Sequence, residues 1–275
     1  MSQASLAQTL TTPAERAAIL VAARQKGGDL MAYPEPIPAT LAEAYACQEA
    51  AIDLWPDAVA GWKIGGIPAD RAALLGADRL TGPVFRKNIW RSESGHTMTC
   101  PAFRGGFAAV EGEIVVQIAE DAPTAKTEWS VAEARAMAAN LYCGIEIAGS
   151  PIANINARGT TVVVSDFGNN TGLIVGAAIP DWQNLSPEDL GCATAIDGGQ
   201  VGRVDRVDLN GGTFEALRFL LGQAAGRNRP LKKGMMITTG ALTGIHEIGA
   251  GQRGKVVFSL KNQVFSTIDC VMQQI

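Results

Sequence analysis

Ala109-Val110-Glu111-Gly112-Glu113-Ile114-Val115-Val116-Gln117-Ile118 sets two carboxylates one residue apart inside a β-branched run. The alternation with Val110, Ile114 and Val116 reads as a strand, and residues i and i+2 of a strand share a face. Two like charges held there among apolar neighbours repel and lose hydration unless a cation or protons neutralise them. Glu146, in the second apolar run Gly144-Ile145-Glu146-Ile147-Ala148-Gly149, can supply a third oxygen ligand. An all-carboxylate set favours a hard divalent ion such as Mg²⁺ or Mn²⁺ over Zn²⁺. The alternative is an edge strand with Glu111 and Glu113 on its solvent side.

The bulk numbers narrow the classes. A chain of 275 residues holds one large domain or two modest ones with an ample core. Hydrophobic residues make up 47% and charged residues 18%, with 31 glycines, which suits an oligomer whose surface is partly covered by neighbours. The net charge of −4, with no lysine or arginine block longer than two, argues against nucleic-acid binding. Five scattered cysteines (Cys47, Cys100, Cys143, Cys192, Cys270) form no Cys-x-x-Cys pair and read as reduced core thiols. No basic segment followed by an apolar stretch opens the chain, and no run of 18 apolar residues occurs. A cytoplasmic protein without a membrane span is expected.

Residues 1–83 read as a helical N-terminal region and 84–275 as a β-rich catalytic domain. Thr12-Pro13-Ala14-Glu15 is a capping box with proline at the first helical position, and that helix should end at Gly27-Gly28. Thr40-Leu41-Ala42-Glu43 opens a second helix ending near Trp55-Pro56, with an extended, proline-rich connection between the two. Further on, strands are expected at 112–118, 143–147, 160–164, 172–175, 194–197, 235–239 and 255–260. Ser130-Val131-Ala132-Glu133 should start a helix running to about Leu141, and Thr213 to Leu221 a further one. Strands so irregularly interleaved with few helices predict a mixed or antiparallel α+β fold, not a doubly wound one.

Four smaller signals have chemical readings. Lys63, in Gly61-Trp62-Lys63-Ile64-Gly65-Gly66, is either a pocket lysine facing an anionic substrate or a snorkelling lysine beside a turn. The polar stretch Ser165 to Gly172 is a hairpin turn by default, or a loop supplying an acid or a substrate-orienting group. Gly249 to Gly254 matches the dinucleotide fingerprint by letter. The run Lys255 to Leu260 after it reads as a strand where a helix is required, so that reading fails. His96 and His246 are the only histidines and have no partner at ligand spacing.

Taken in order, these segments resemble the fumarylacetoacetate hydrolase superfamily, in its 2-keto-4-pentenoate hydratase and oxalocrotonate decarboxylase branch. The resemblance rests on Gly61 to Gly65, Leu75 to Asp78 leading to Gly82 to Phe85, and Val110 to Glu113. It continues with Gly144 to Ile147, Ser165 to Gly172, and Pro230 to Gly234 leading to Thr238 to Gly244. It implies a fumarylacetoacetate-hydrolase-like mixed β roll with a helical N-terminal region, paired as homodimers or larger homo-oligomers. It also implies Mg²⁺ or Mn²⁺ on Glu111, Glu113 and Glu146. Lys63 matches the family's lysine and is implied, with Asp166 second, as the group that moves a proton or holds a substrate carboxylate; Ser150, Thr239 and Gly240 are implied to line the pocket. The implied activity is a metal-dependent hydratase of short 2-hydroxydienoates in aromatic catabolism, working through an enolate, with decarboxylase and acylpyruvate hydrolase as alternatives. An inactive oxo-acid binder, or a subunit partnering a related pathway enzyme, is the alternative of another class.

Two departures bear on the substrate. Ala148-Gly149-Ser150-Pro151 stands where the hydratase branch shows Asp-Ser-Arg after the third glutamate, leaving Arg158 as the nearby basic residue. The second acidic residue expected after Asp78 is replaced by Arg79-Leu80-Thr81.

Overall fold

The computed structural model describes residues 11–28, 30–92 and 95–275. Helix α1 (Pro13–Gln25) starts as its sequence demands: the Thr12 side chain accepts from the Glu15 amide, and Glu15 accepts from the Thr12 amide. Its apolar stripe buries Ala17, Leu20 and Val21. Helix α2 (Leu41–Leu54) has half of the expected box. Thr40 caps the Glu43 amide, but the Glu43 carboxylate reaches the amide of Ala39 instead of that of Thr40. The remaining helices are α3 (Ala69–Leu75), α4 (Val131–Ala136), α5 (Ile155–Arg158), α6 (Thr160–Ser165) and α7 (Glu215–Gly226).

The first strands are β1 (Val59–Gly66), β2 (Arg79–Phe85), β3 (Ile89–Arg91), β4 (Thr97–Ala102), β5 (Phe107–Ile118) and β6 (Ala138–Ser150). They are followed by β7 (Asn170–Ala178), β8 (Leu190–Ile196), β9 (Gly199–Val204), β10 (Met236–Thr238), β11 (His246–Glu247), β12 (Arg253–Leu260) and β13 (Gln263–Gln274). Among the described residues they form two mixed sheets. The larger runs β2-β1-β10-β5-β6-β7-β3 with β11 also on β5, and the smaller runs β4-β13-β12-β8-β9. The sheets meet through the face of β5 opposite its carboxylates: a Cβ on Gly112 would lie 2.8 Å from the Cys192 sulfur and 2.9 Å from Val256. This is the α+β, curled mixed-sheet architecture that the sequence predicts, and no described helix is long and apolar enough to cross a membrane. All five cysteines are buried and unbonded to one another.

Four expectations are corrected. Residues before 84 are not all helical, because β1 and β2 pair with each other and β1 joins β10 in the main sheet. The stretch 160–164 is helix α6, not a strand. Its residues Thr161 to Ser165 are buried, and Gln48 of α2 donates to the Val164 carbonyl at 2.7 Å, so packing and a satisfied helix end override β-branched propensity. The Ser165 to Gly172 segment therefore joins a helix to a strand and is no hairpin. Helix α4 stops at Ala136, after which the chain runs straight into β6.

Close backbone approach fixes where the site strands sit. A Cβ on Gly61 would lie 2.0 Å from the Met236 carbonyl oxygen, and one on Gly82 would lie 2.0 Å from that of Phe167. Backbone cannot rotate aside as a side chain can. Gly82→Ala is expected to destabilise the fold by roughly 1–3 kcal/mol, read as a fall of several degrees in the calorimetric melting temperature.

Candidate metal centre and its cavity

Register builds the centre. Strands β5 and β6 are antiparallel with Glu111 directly opposite Glu146, and Glu113 follows on the same face, opposite Gly144. Ligand oxygens of the three carboxylates all lie within 4.8 Å of one another. None of the three is at a solvent edge: β5 is an interior strand, and Glu111, Glu113 and Glu146 are 4%, 0% and 0% exposed. The next strands complete the face, since Lys63 of β1 is in register with Thr238 of β10, and Thr238 with Val115 of β5.

Glu146 and Glu113 have hydrogen-bond partners and room for more. Glu146 Oε1 lies 3.4 Å from Lys63 Nζ and accepts from Asn170 Nδ2 at 2.9 Å, while its Oε2 accepts from Thr238 Oγ1 at 3.4 Å. Glu113 Oε2 accepts the Gly240 amide at 2.8 Å. Glu111 Oε1 and Glu113 Oε1 are buried without a hydrogen-bond partner. Two orphaned carboxyl oxygens beside a third carboxylate are the donor set of a hard divalent cation, so the residues fit one.

The electrostatics of the protein alone carry the same message. Burial, with the charge of Glu146 added and Lys63 opposing, pushes the Glu111 carboxyl up to about 8. Burial and the charges of Glu146 and Glu111 hold the Glu113 carboxyl well above its usual range. Burial pushes the Lys63 ammonium down, but Glu146, Glu111 and Glu113 outweigh it and the net shift is upward. Lys63 is 5% exposed, which rules out a snorkelling role.

The centre opens into a cavity of about 790 Å³. Lys63, Glu111, Thr239 and Gly240 line it, with apolar Leu80, Val163 and Leu242 and the side-chain amides of Asn156 and Asn169. Thr239 Oγ1 is committed to the Ile114 carbonyl at 2.9 Å. Asp166 and Ser150 do not line this cavity. Asp166 is ion-paired with Arg24 of α1, and Ser150 Oγ donates to its other oxygen at 2.6 Å, so both are spent on a buried structural cluster. Arg158 likewise holds its neighbour Asn154 at 3.0 Å, and neither histidine lines the cavity. Asn170 and Thr238 went unread as site residues. Asn170 sits in the flagged polar loop, and Thr238 beside the expected Thr239.

No family profile and no curated protein sequence matches the chain. Solved structures do. The 4-oxalocrotonate decarboxylase from Pseudomonas putida G7, complexed with magnesium and adipate, superposes with a TM-score of 0.71 at 18% identity, covering 94% of this chain and 97% of that one. The fumarylpyruvate hydrolase from Pseudomonas aeruginosa, in complex with Mn²⁺ and pyruvate, gives 0.53 at 14% identity, covering 78% and 89%. A yeast fumarylacetoacetate hydrolase family protein gives 0.53 at 11% identity, covering 78% and 92%. The chain has the fold of the fumarylacetoacetate hydrolase superfamily.

A carboxyl whose folded-state pKa is raised binds its proton more tightly folded than unfolded, so stability falls as pH rises between the two values. For Glu111 that window runs from its ordinary 4.5 to about 8. The metal-free protein should therefore melt at lower temperature at pH 8 than at pH 6, and Mn²⁺ should raise the melting temperature more at pH 8. Glu111→Gln should flatten this metal-free slope in a scanning-fluorimetry series.

Proposed function

We propose that the chain is a divalent-metal-dependent lyase of this superfamily that hydrates a short 2-hydroxydienoate of the 2-keto-4-pentenoate type. One observation carries the reading: three buried carboxylates with two orphaned oxygens lie beside a buried lysine at the wall of a cavity. Glu111, Glu113 and Glu146 would hold Mg²⁺ or Mn²⁺. When bound, such an ion supplies Lewis-acid stabilisation to negative charge developing on the substrate's 2-oxygen.

The chain's own groups do the rest. Lys63, whose ammonium faces both the carboxylates and the cavity, hands a proton to the far carbon of the dienol and takes back the proton of the 2-hydroxyl, which leaves the conjugated 2-oxo acid. Water then adds across its remaining double bond, hydroxyl to C4 and hydrogen to C3. Leu80, Val163 and Leu242 lie against the hydrocarbon part of the substrate. The Gly240 amide keeps Glu113 aimed at the centre. Asp166 and Ser150 act from behind, as supports.

A decarboxylase acting through the same enolate chemistry is the second reading. It is favoured by the likeness, over nearly the whole chain, to solved structures of a 4-oxalocrotonate decarboxylase. Hydrolysis needs a base to activate water, and neither histidine reaches the cavity lining. An inactive binder or partner subunit would leave Lys63 and all three carboxylates without a use. Self-association into a homodimer or larger homo-oligomer is part of the proposal.

The test is the loss of dienol absorbance of 2-hydroxypenta-2,4-dienoate, run beside 4-oxalocrotonate, with and without Mn²⁺ or Mg²⁺. Metal-dependent formation of the 4-hydroxy-2-oxo acid, abolished in Glu111→Ala/Glu113→Ala, is the expected result. Lys63→Met should lower kcat by roughly 10²–10⁴-fold. Carbon dioxide release from 4-oxalocrotonate alone would select the decarboxylase, and turnover of neither with metal bound would overturn both.

A further inference from the structure

Asn170 reaches Glu146 only because the β6–β7 ladder slips. Leu173 pairs with Glu146 and Gly172 with Ile147, but Ala148 then pairs with Asn170, so Thr171 is an extra residue on β7. In regular alternation from Leu173, residue 170 would point away from the face that carries Glu146. The bulge reverses it, placing the Asn170 side chain on the same face as Ala148 and Glu146. Its amide then donates to Glu146 Oε1 at 2.9 Å and makes a longer contact of 3.5 Å to the Gly172 carbonyl.

A single guanidinium holds that slip. Arg24 Nη1 donates to the Asn170 carbonyl at 3.0 Å, and Nη2 donates to the carbonyls of Gly149 and Asp166, each at 2.9 Å. Its Nε pairs with the Asp166 carboxylate, and its Cζ lies over the rings of Phe103 and Phe167, 5.4 and 5.0 Å from their centroids. Arg24 is 6% exposed. The end of β6, the start of β7 and the turn before it are thus tied to one side chain of α1. No other residue type offers a planar fork of five donors to do this.

We propose that Arg24 and Asn170 are positioning residues for Glu146: the arginine clamps the bulge, the bulge aims the amide, and the amide fixes the carboxylate oxygen that faces Lys63. The proposal rests on the metal reading above. It makes an N-terminal helix, far from the cavity in sequence, a determinant of ion affinity.

The experiment is Mn²⁺ binding by electron paramagnetic resonance titration of the full chain, with metal-free thermal melts alongside. Asn170→Ala removes the amide but leaves the carbonyl that Arg24 holds. Arg24→Met removes the clamp but leaves the amide. Each should weaken Mn²⁺ binding by roughly 10–100-fold. The double variant should be no weaker than the worse single by more than about threefold, because the two act in series. Arg24→Lys, which keeps the charge and loses the fork, should recover only part of the affinity. Asn170→Ala should also keep its metal-free melting temperature within a few degrees, whereas a purely structural role would lower that temperature and leave Mn²⁺ affinity unchanged. If Arg24→Met does not fold, Arg24→Lys and Asn170→Ala decide the matter. Folded variants that bind Mn²⁺ within twofold of the parent would overturn the clamp alone, and a parent that binds no Mn²⁺ would overturn the metal reading and the clamp with it.

Discussion

Everything distinctive in this molecule follows from the burial of Glu111 opposite Glu146 across one antiparallel ladder. Buried like charges at that spacing are unfavourable without compensation, and the surrounding fold is arranged to supply it. β1 brings the cation of Lys63, β10 brings the Thr238 hydroxyl, the segment after β10 brings the Gly240 amide, and β7 brings the Asn170 amide. These partners still leave one oxygen each on Glu111 and Glu113 without a hydrogen bond. The protein has built most of a coordination shell and left the centre of it for something else.

The two faces of β5 divide the labour. One carries the carboxylates, and the other must let a second sheet approach to within contact of Gly112. A larger residue at 112 would collide with Cys192 and Val256, so the spacing Glu-Gly-Glu is chemistry on one side and packing on the other. The same economy holds at Gly82, which lies across the ladder from Lys63 and under the turn that begins at Phe167.

Much of this was legible in the sequence because strand periodicity is local. Alternation put Glu111 and Glu113 on one face, and a second apolar run marked Glu146. Capping boxes marked α1 and α4 to the residue at their starts. What sequence could not yield were features decided by distant partners. The Thr160 to Val164 run has strand propensity, yet it folds as a helix because Gln48 and the core around α2 take its carbonyl and its side chains. Asp166 and Ser150 look like chemistry by residue type, and only the guanidinium of Arg24, more than a hundred residues earlier, shows them to be committed elsewhere. Asn170 was hidden for a related reason: a one-residue slip in a ladder reverses the face of a side chain without leaving a mark in the sequence.

The parallel pairing of β1 with β10 also has a consequence for how the chain is made. β1 bears Lys63, yet the strand that seats it beside β5 is Met236–Thr238, far along the chain from both. During synthesis the β1–β2 hairpin, the β5–β6 ladder and their unpaired carboxylates must wait for most of the remaining chain. Such long-range closure is slow and leaves sheet edges exposed in the interval. Lysine and carboxylates therefore meet late, when the first sheet closes and before the smaller sheet has received β12 and β13.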